Sequence, residues 1–288
     1  MEAAYPGCAR RVTLVVRLMQ HKTEAYWFYR VLSLVYDRWV NPLFWTPGMR
    51  ATALEAAALE SRSLRTLDVG AGTGFTTEGI VEHIDARLVT MLDQSPHQLA
   101  RARTKPALAE CEKLLGDAED LPFAGDAYDR YVSAGSIEYW PDPQRAITEA
   151  YRVLRSGGRA VVIGPVRPAN PLLRRLADTW MLFPSVRDYR DWLERAGFAD
   201  VAVVALAPAW YRSTKAPYAV VVSGRKPAPG PSPLVVPPPA EGLLGPMRPS
   251  ERLRAAVRFG AGALAGALFV PLGAALALRH RFRERRAA

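Results

Sequence analysis

Asp68-Val69-Gly70-Ala71-Gly72-Thr73-Gly74 is the stretch on which the fold turns. It completes a short run, Thr66 to Val69, that reads as a strand, and it opens a helical stretch near Thr76 to His83. Glycines at a strand-to-helix turn let the backbone approach a ligand where a Cβ would collide. A dinucleotide site is spaced G-x-G-x-x-G, with the pyrophosphate on the helix N-terminus. Here Gly74 arrives one residue early and Phe75 stands in its place, a spacing that disfavours NAD. An acid just before the first glycine is also a poor neighbour for a diphosphate, and it suits a ligand that carries an ammonium and a sulfonium. Asp68 therefore points to an amino-acid-like cofactor.

Outward from that loop, short apolar runs alternate with longer helical stretches, the pattern of a parallel sheet buried on both faces. The candidate strands are Thr66 to Val69, Leu88 to Leu92, Lys113 to Leu115, Arg130 to Ser133, Ala160 to Ile163, Val201 to Leu206 and Ala219 to Ser223. Helices are expected near Thr76 to His83, Pro96 to Arg103, Pro143 to Leu154 and Ser185 to Ala196. The expected fold is α/β: a three-layer, Rossmann-like arrangement around a mostly parallel seven-stranded sheet. Asp93 ends the second strand, where a carboxylate can accept both hydroxyls of a ribose. Asp117, in Gly116-Asp117-Ala118-Glu119-Asp120, follows the third and is placed to accept an adenine amino group. Each acid alone also reads as a helix cap or a solvated charge. At three successive strand ends they converge on the crevice where such sheets bind ligands.

The chain has 288 residues and a formal charge of +10, which suggests a nucleic-acid binder until the charge is located. Nine Arg against two Glu lie from Arg248 onward, around an apolar run, so no nucleic-acid partner is expected. Residues 259 to 278 carry no charge and have about the length that crosses a hydrocarbon core. They are expected to form a C-terminal transmembrane helix within an anchor at 251–288, although their glycines and Pro271 also fit an amphipathic or core helix. The nine prolines between Lys226 and Ser250 mark 227–250 as a semi-extended linker. Cys8 and Cys111 are too few for a disulfide framework and lack metal-ligand spacing, so no metal is expected. The core domain is placed at 51–226. Residues 1–20, which contain Arg and almost no acids, read as a possible targeting remnant, and 21–50, dense in aromatic residues, read as a helical lid or as helices packed on the core.

Leu67 to Gly74, Leu92-Asp93-Gln94-Ser95, Gly116 to Phe123 and Arg152 to Gly158 resemble, in order and spacing, the motifs of class I S-adenosylmethionine-dependent methyltransferases. More narrowly, His21 to Arg30, Asp93 to Ala102, Tyr131 to Arg145 and Trp180 to Pro184 resemble the plastid 2-methyl-6-phytyl/solanesyl-benzoquinol methyltransferases. The resemblance runs from about Gln20 through Gly224. It implies S-adenosyl-L-methionine held by Asp68, Gly70, Gly72, Gly74, Asp93, Gln94, Asp117, Ala118 and Ser133. It also implies methylation of a prenylated quinol ring carbon in tocopherol and plastoquinone synthesis, at the plastid inner envelope membrane. Ala71 departs from the glycine often found there in that family.

A hydroquinone carbon becomes nucleophilic when a ring hydroxyl loses its proton, after which methyl transfer needs chiefly proximity and orientation. Glu138, on the loop after the fourth strand, is the candidate base, and it also reads as a residue that orients backbone or cofactor. His97 is a second candidate, and also reads as an exposed first-turn helix residue. Tyr139 and Trp140 read equally as ring-stacking residues and as packing. Two other functions stay open: a methyltransferase acting on another lipid or phenol, such as a sterol or a menaquinone precursor, and a non-enzymatic membrane protein that keeps the fold. The oligomeric state is not legible.

Overall fold

Largely apolar runs, the first four ended by a glycine or an acid, assemble into one seven-stranded sheet. The computed structural model describes residues 45–171, 174–175, 182–211 and 216–236, with scattered positions between 253 and 279. In chain order the elements are α1 (Pro47–Glu55), β1 (Thr66–Val69), α2 (Phe75–Val81), β2 (Val89–Asp93), α3 (Pro96–Ala102), β3 (Glu112–Leu115), β4 (Tyr128–Ala134), α4 (Pro143–Val153), β5 (Leu154–Pro165), α5 (Val186–Arg195), β6 (Ala199–Leu206) and β7 (Ala219–Arg225). The helices start where capping chemistry says they should. Ser95 and Asp142 accept the N–H of the residue three positions on, each followed by proline, and Ser185 with Asp188 makes a reciprocal capping box.

The strand order is β3-β2-β1-β4-β5-β7-β6. The chain runs outward from β1 to β3 and then returns to the other side of β1, so the order reverses between β1 and β4. Alternate residues feed two cores. Leu67, Val69, Tyr131, Val162 and Val222 face α4 and α5, while Val132, Val161, Ile163 and Val221 face the side of Met49 and Leu54 from α1 and Ile80 from α2.

Two expectations are corrected. The sheet is mixed, since β7 runs antiparallel to both β5 and β6. Parallel neighbours need a long crossover, usually helical, whereas the described residues of 207–218, which join β6 to β7, form no helix. Apolar runs report burial on both faces and are silent about direction, so the sequence pattern did not distinguish the two. Nor is a transmembrane helix supported: among the described residues no helix is long and apolar enough to cross a membrane. Most of 259–278 lies outside the described residues, as do the targeting segment and nearly all of the aromatic segment 21–50. The last residues of that segment begin α1, which packs Met49, Ala53 and Leu54 into the core.

The proline-rich segment is laid on the domain as far as the description runs, to residue 236. Lys226 is fully buried, and its Nζ donates to Asp126 Oδ1 at 2.8 Å and to the Leu154 carbonyl at 2.7 Å. Gly230 N–H donates to the other Asp126 oxygen at 3.1 Å, and Ser232 Oγ to the Ala196 carbonyl at 2.8 Å.

Candidate active site

The C-terminal ends of β1, β2, β3 and β4 bring the expected residues to one edge of the sheet. Gly70 and Ala71 donate their N–H groups to the Leu92 carbonyl, which folds the loop after β1 back onto β2. Gly70 and Gly72 have φ values of +69° and +57°. A Cβ on Gly70 would lie 2.3 Å from Ser136 Cβ, so that glycine is required by the neighbouring loop. A Cβ on Gly72 would meet no atom within 4 Å. Gly72 is therefore glycine for a different reason: its backbone borders open space, as a ligand cradle requires.

Asp68 is buried beneath this loop, and its Oδ2 accepts the Thr77 hydroxyl of α2 at 2.6 Å. Its Oδ1 has no hydrogen-bond partner among the described residues. Burial, with a smaller push from Asp93, raises its pKa to about 7 against the pull of the Thr77 hydrogen bond. A cationic group placed beside such a carboxyl would ionise it. Asp93, at the end of β2, accepts the Gly72 N–H on Oδ2 and the Ser95 N–H on Oδ1, both at 2.8 Å. Burial raises its pKa to about 6, and these two bonds restrain the rise. Each of its oxygens keeps a second lone pair for a further donor. Gln94, next in the chain, is exposed.

After β3, Asp117 Oδ1 accepts the Glu119 N–H at 3.0 Å, and Ala118 is buried beside it. The loop is held from α4: Glu149 accepts the Leu121 N–H, and Arg152 donates to the Leu121 and Phe123 carbonyls. After β4, the buried hydroxyls of Ser133 and Ser136 lie 2.6 Å apart, and Ser136 Oγ donates to the Val69 carbonyl at 3.4 Å. Thr77 and Ser136 were not singled out in the sequence. Nothing local marks them, because their roles depend on which strand ends become neighbours.

Glu138 sits in a short 3₁₀ turn, Ile137–Tyr139, rather than in an open loop. It is buried, and its Oε2 has no hydrogen-bond partner among the described residues. Burial pushes its pKa up to about 7, within reach of proton transfer at neutral pH. Its own carbonyl accepts the Leu182 N–H at 3.1 Å, so the segment before α5 closes against this turn. Tyr139 and Trp140 are buried with it, and Trp140 belongs to the core on the α4 side. His97 lies exposed on the first turn of α3.

Residues 67–162 match a family model described as a methyltransferase domain. The chain is 53% identical over 257 residues to the chloroplastic 2-methyl-6-phytyl-1,4-hydroquinone methyltransferase of Spinacia oleracea, covering 88% of this chain and 74% of that one. It is 54% identical over 258 residues to the enzyme of the same name from Arabidopsis thaliana, covering 88% and 75%. Among solved structures, an S-adenosylmethionine-dependent methyltransferase from Thermotoga maritima superposes with a TM-score of 0.55 at 23% identity, over 70% of this chain and 99% of that one. That likeness speaks to the fold alone.

Proposed function

The chain belongs to the family of 2-methyl-6-phytyl-1,4-hydroquinone methyltransferases, and we propose that its acceptor is a ring carbon of a prenylated hydroquinone, the 2-methyl-6-phytyl or the 2-methyl-6-solanesyl compound. It is an S-adenosylmethionine-dependent methyltransferase. The observation that carries the acceptor is the 53% identity over 257 residues to an enzyme named for that substrate. When bound, the cofactor supplies an electrophilic methyl group on a sulfonium.

The residues divide the remaining work. Asp68 faces the cofactor's ammonium end, with the open backbone of Gly72 beside it. Asp93 takes the ribose hydroxyls on its remaining lone pairs, and Asp117 with Ala118 borders the adenine. Gly70, Gly74 and Ser133 keep the cradle's shape, and Gln94 covers its outer side. Glu138 accepts the proton of a ring hydroxyl, which raises electron density at the ring carbon that takes the methyl. With the cofactor bound, methyl transfer to that carbon would leave its C–H proton to pass to water, and the proton held by Glu138 would return to the ring oxygen to restore the hydroquinone. A buried carboxyl with a pKa near 7 suits the first proton transfer, since it is partly ionised at neutral pH without being a weak base.

A plastid location is part of the same reading, supported by the chloroplastic names of the relatives. Within it, the inner envelope and the synthesis of tocopherol and plastoquinone are what the family resemblance implies, and a lipid-soluble quinol substrate is compatible with both. The acceptor is tested by presenting purified protein and labelled cofactor with the prenylated quinol, a sterol and a menaquinone precursor side by side. Transfer to the prenylated quinol well above the others is expected; preference for either alternative would reassign the acceptor.

A further inference from the structure

We infer that Trp210, Tyr211 and Tyr218, in the loop between β6 and β7, seat the isoprenoid tail of the acceptor. This rests on the acceptor class proposed above and extends it to the part of the molecule that tells one quinol from another.

The three rings form one cluster. Tyr218 stacks edge-to-face on Trp210 at 5.6 Å and on Tyr211 at 5.3 Å, and Trp210 meets Tyr211 at 6.3 Å. Tyr211 Oη donates to the Ala216 carbonyl at 2.9 Å, which closes the loop on itself and satisfies the polar end of that ring. Tyr218 packs against the core beside Leu206 and Ala219, while all three rings stay half-exposed. The result is a largely apolar surface built on a fixed base, with the Tyr211 hydroxyl turned into the loop.

Its position follows from the sheet. β6 ends and β7 begins at the edge that holds the glycine loop, because Leu206 and Pro165 both pair with Ala219. Val166 N–H donates to the Tyr218 carbonyl at 3.2 Å, which joins the cluster to the end of β5. The Pro165 carbonyl in turn accepts the Tyr189 hydroxyl at 3.0 Å, and Tyr189 is close enough to Glu138 to feel its charge. A Cβ on Gly164 would lie 2.7 Å from Ile137, the neighbour of Glu138. The turn that carries Glu138 follows β4 and the aromatic cluster precedes β7, so the two stand on either side of the end of β5, about 10 Å apart by strand spacing.

The same edge has opposite character in the other direction. There Asp93, Asp117, Glu119 and Asp120 follow one another past the cofactor cradle. A ring held at Glu138 with a long apolar substituent therefore loses solvation-driven stabilisation toward β3 and gains it toward β7 and β6. Among the described residues the sheet edge favours the tail on the β7 side, and the aromatic cluster lies there.

The test compares kcat/KM for a detergent-dispersed quinol bearing a phytyl tail with that for the same ring bearing only methyl substituents, in wild type, Trp210→Ala and Trp210→Phe. The expected result is that Trp210→Ala lowers the preference for the tailed quinol by about tenfold, the value of losing roughly two methylene contacts. Trp210→Phe restores most of it. A preference unchanged in Trp210→Ala overturns the seat, as does equal loss on both acceptors, which would mark Trp210 as structural. A change seen only when the substrate is carried in phosphatidylcholine vesicles would give the cluster to the bilayer instead and also overturn the seat. A wild type that methylates neither quinol would defeat the acceptor assignment itself, an outcome distinct from these.

Discussion

Asp93 Oδ2 accepts the Gly72 N–H at 2.8 Å, so the carboxylate at the end of β2 also fixes the glycine loop that ends β1. One side chain thus sets the shape of the cradle and offers lone pairs to what lies in it. Asp93→Ala removes both functions. Hydrogen bonds to a charged group contribute about 1.5–3 kcal/mol each, so cofactor affinity is expected to fall at least tenfold. Titration calorimetry with S-adenosylmethionine measures it, and wild-type affinity in the variant would remove Asp93 from the site.

The two glycines of the loop should separate stability from binding. In Gly72→Ala the new methyl enters open space, and the left-handed backbone costs about 1–2 kcal/mol. The protein is expected to stay folded while binding the cofactor weakly. In Gly70→Ala the methyl meets Ser136 Cβ at 2.3 Å, and the fold itself should suffer. Melting curves paired with cofactor titrations distinguish the two, and equal losses of stability would contradict the assignment.

Glu138 gives a prediction with a definite sign. As the proton acceptor it must be ionised, so kcat/KM should rise with pH through about 7 and level off above. Glu138→Gln should lower the rate by roughly 10²–10⁴ and abolish that limb. Stability runs the other way. The raised carboxyls of Asp68, Asp93 and Glu138 hold protons in the folded state that the unfolded chain releases near pH 4. The stability they contribute is complete below that point and is lost as pH rises through about 6 to 7. The unliganded protein should therefore melt lower at pH 8 than at pH 5, and by a smaller margin in Glu138→Gln. A melting temperature that climbs across the interval would contradict the burial of these groups.

Lys226 and Asp126 tie the start of the proline-rich segment to the domain, and the pair is lopsided. The lysine is fully buried while the aspartate is 38% exposed. Asp126→Ala leaves a buried cation with only carbonyl partners and should cost about 3 kcal/mol. Lys226→Met gives up the contact of Nζ with the Tyr151 ring at 4.8 Å but leaves no buried charge and lets Asp126 turn to water, so it should cost less. Chemical denaturation of both variants gives the order, and the reverse order would show that lost packing outweighs the unpaired charge.

Much of this architecture was legible in the sequence, for physical reasons that differ by element. All seven strands overlap the short runs expected from the sequence, the clearest being Thr66–Val69 before Gly70. The convergence of Asp68, Asp93 and Asp117 follows from parallel strands that end at one edge. The direction of β7 was not legible, because Ala219–Arg225 is apolar whichever way it runs. Nor was the docking of 226–236, which depends on a lysine finding Asp126 a hundred residues away. The same limit hid Thr77 and Ser136, whose partners come from other strands.

The most direct measurement is an assay of purified protein with methyl-labelled S-adenosylmethionine and 2-methyl-6-phytyl-1,4-benzoquinol, with the product located by mass spectrometry. A product that gains one methyl on a ring carbon, with transfer lowered in Asp93→Ala and Glu138→Gln, is the predicted result. A methyl found on a ring oxygen, or no transfer by folded protein that binds the cofactor, would contradict the assignment of a prenylated-quinol C-methyltransferase.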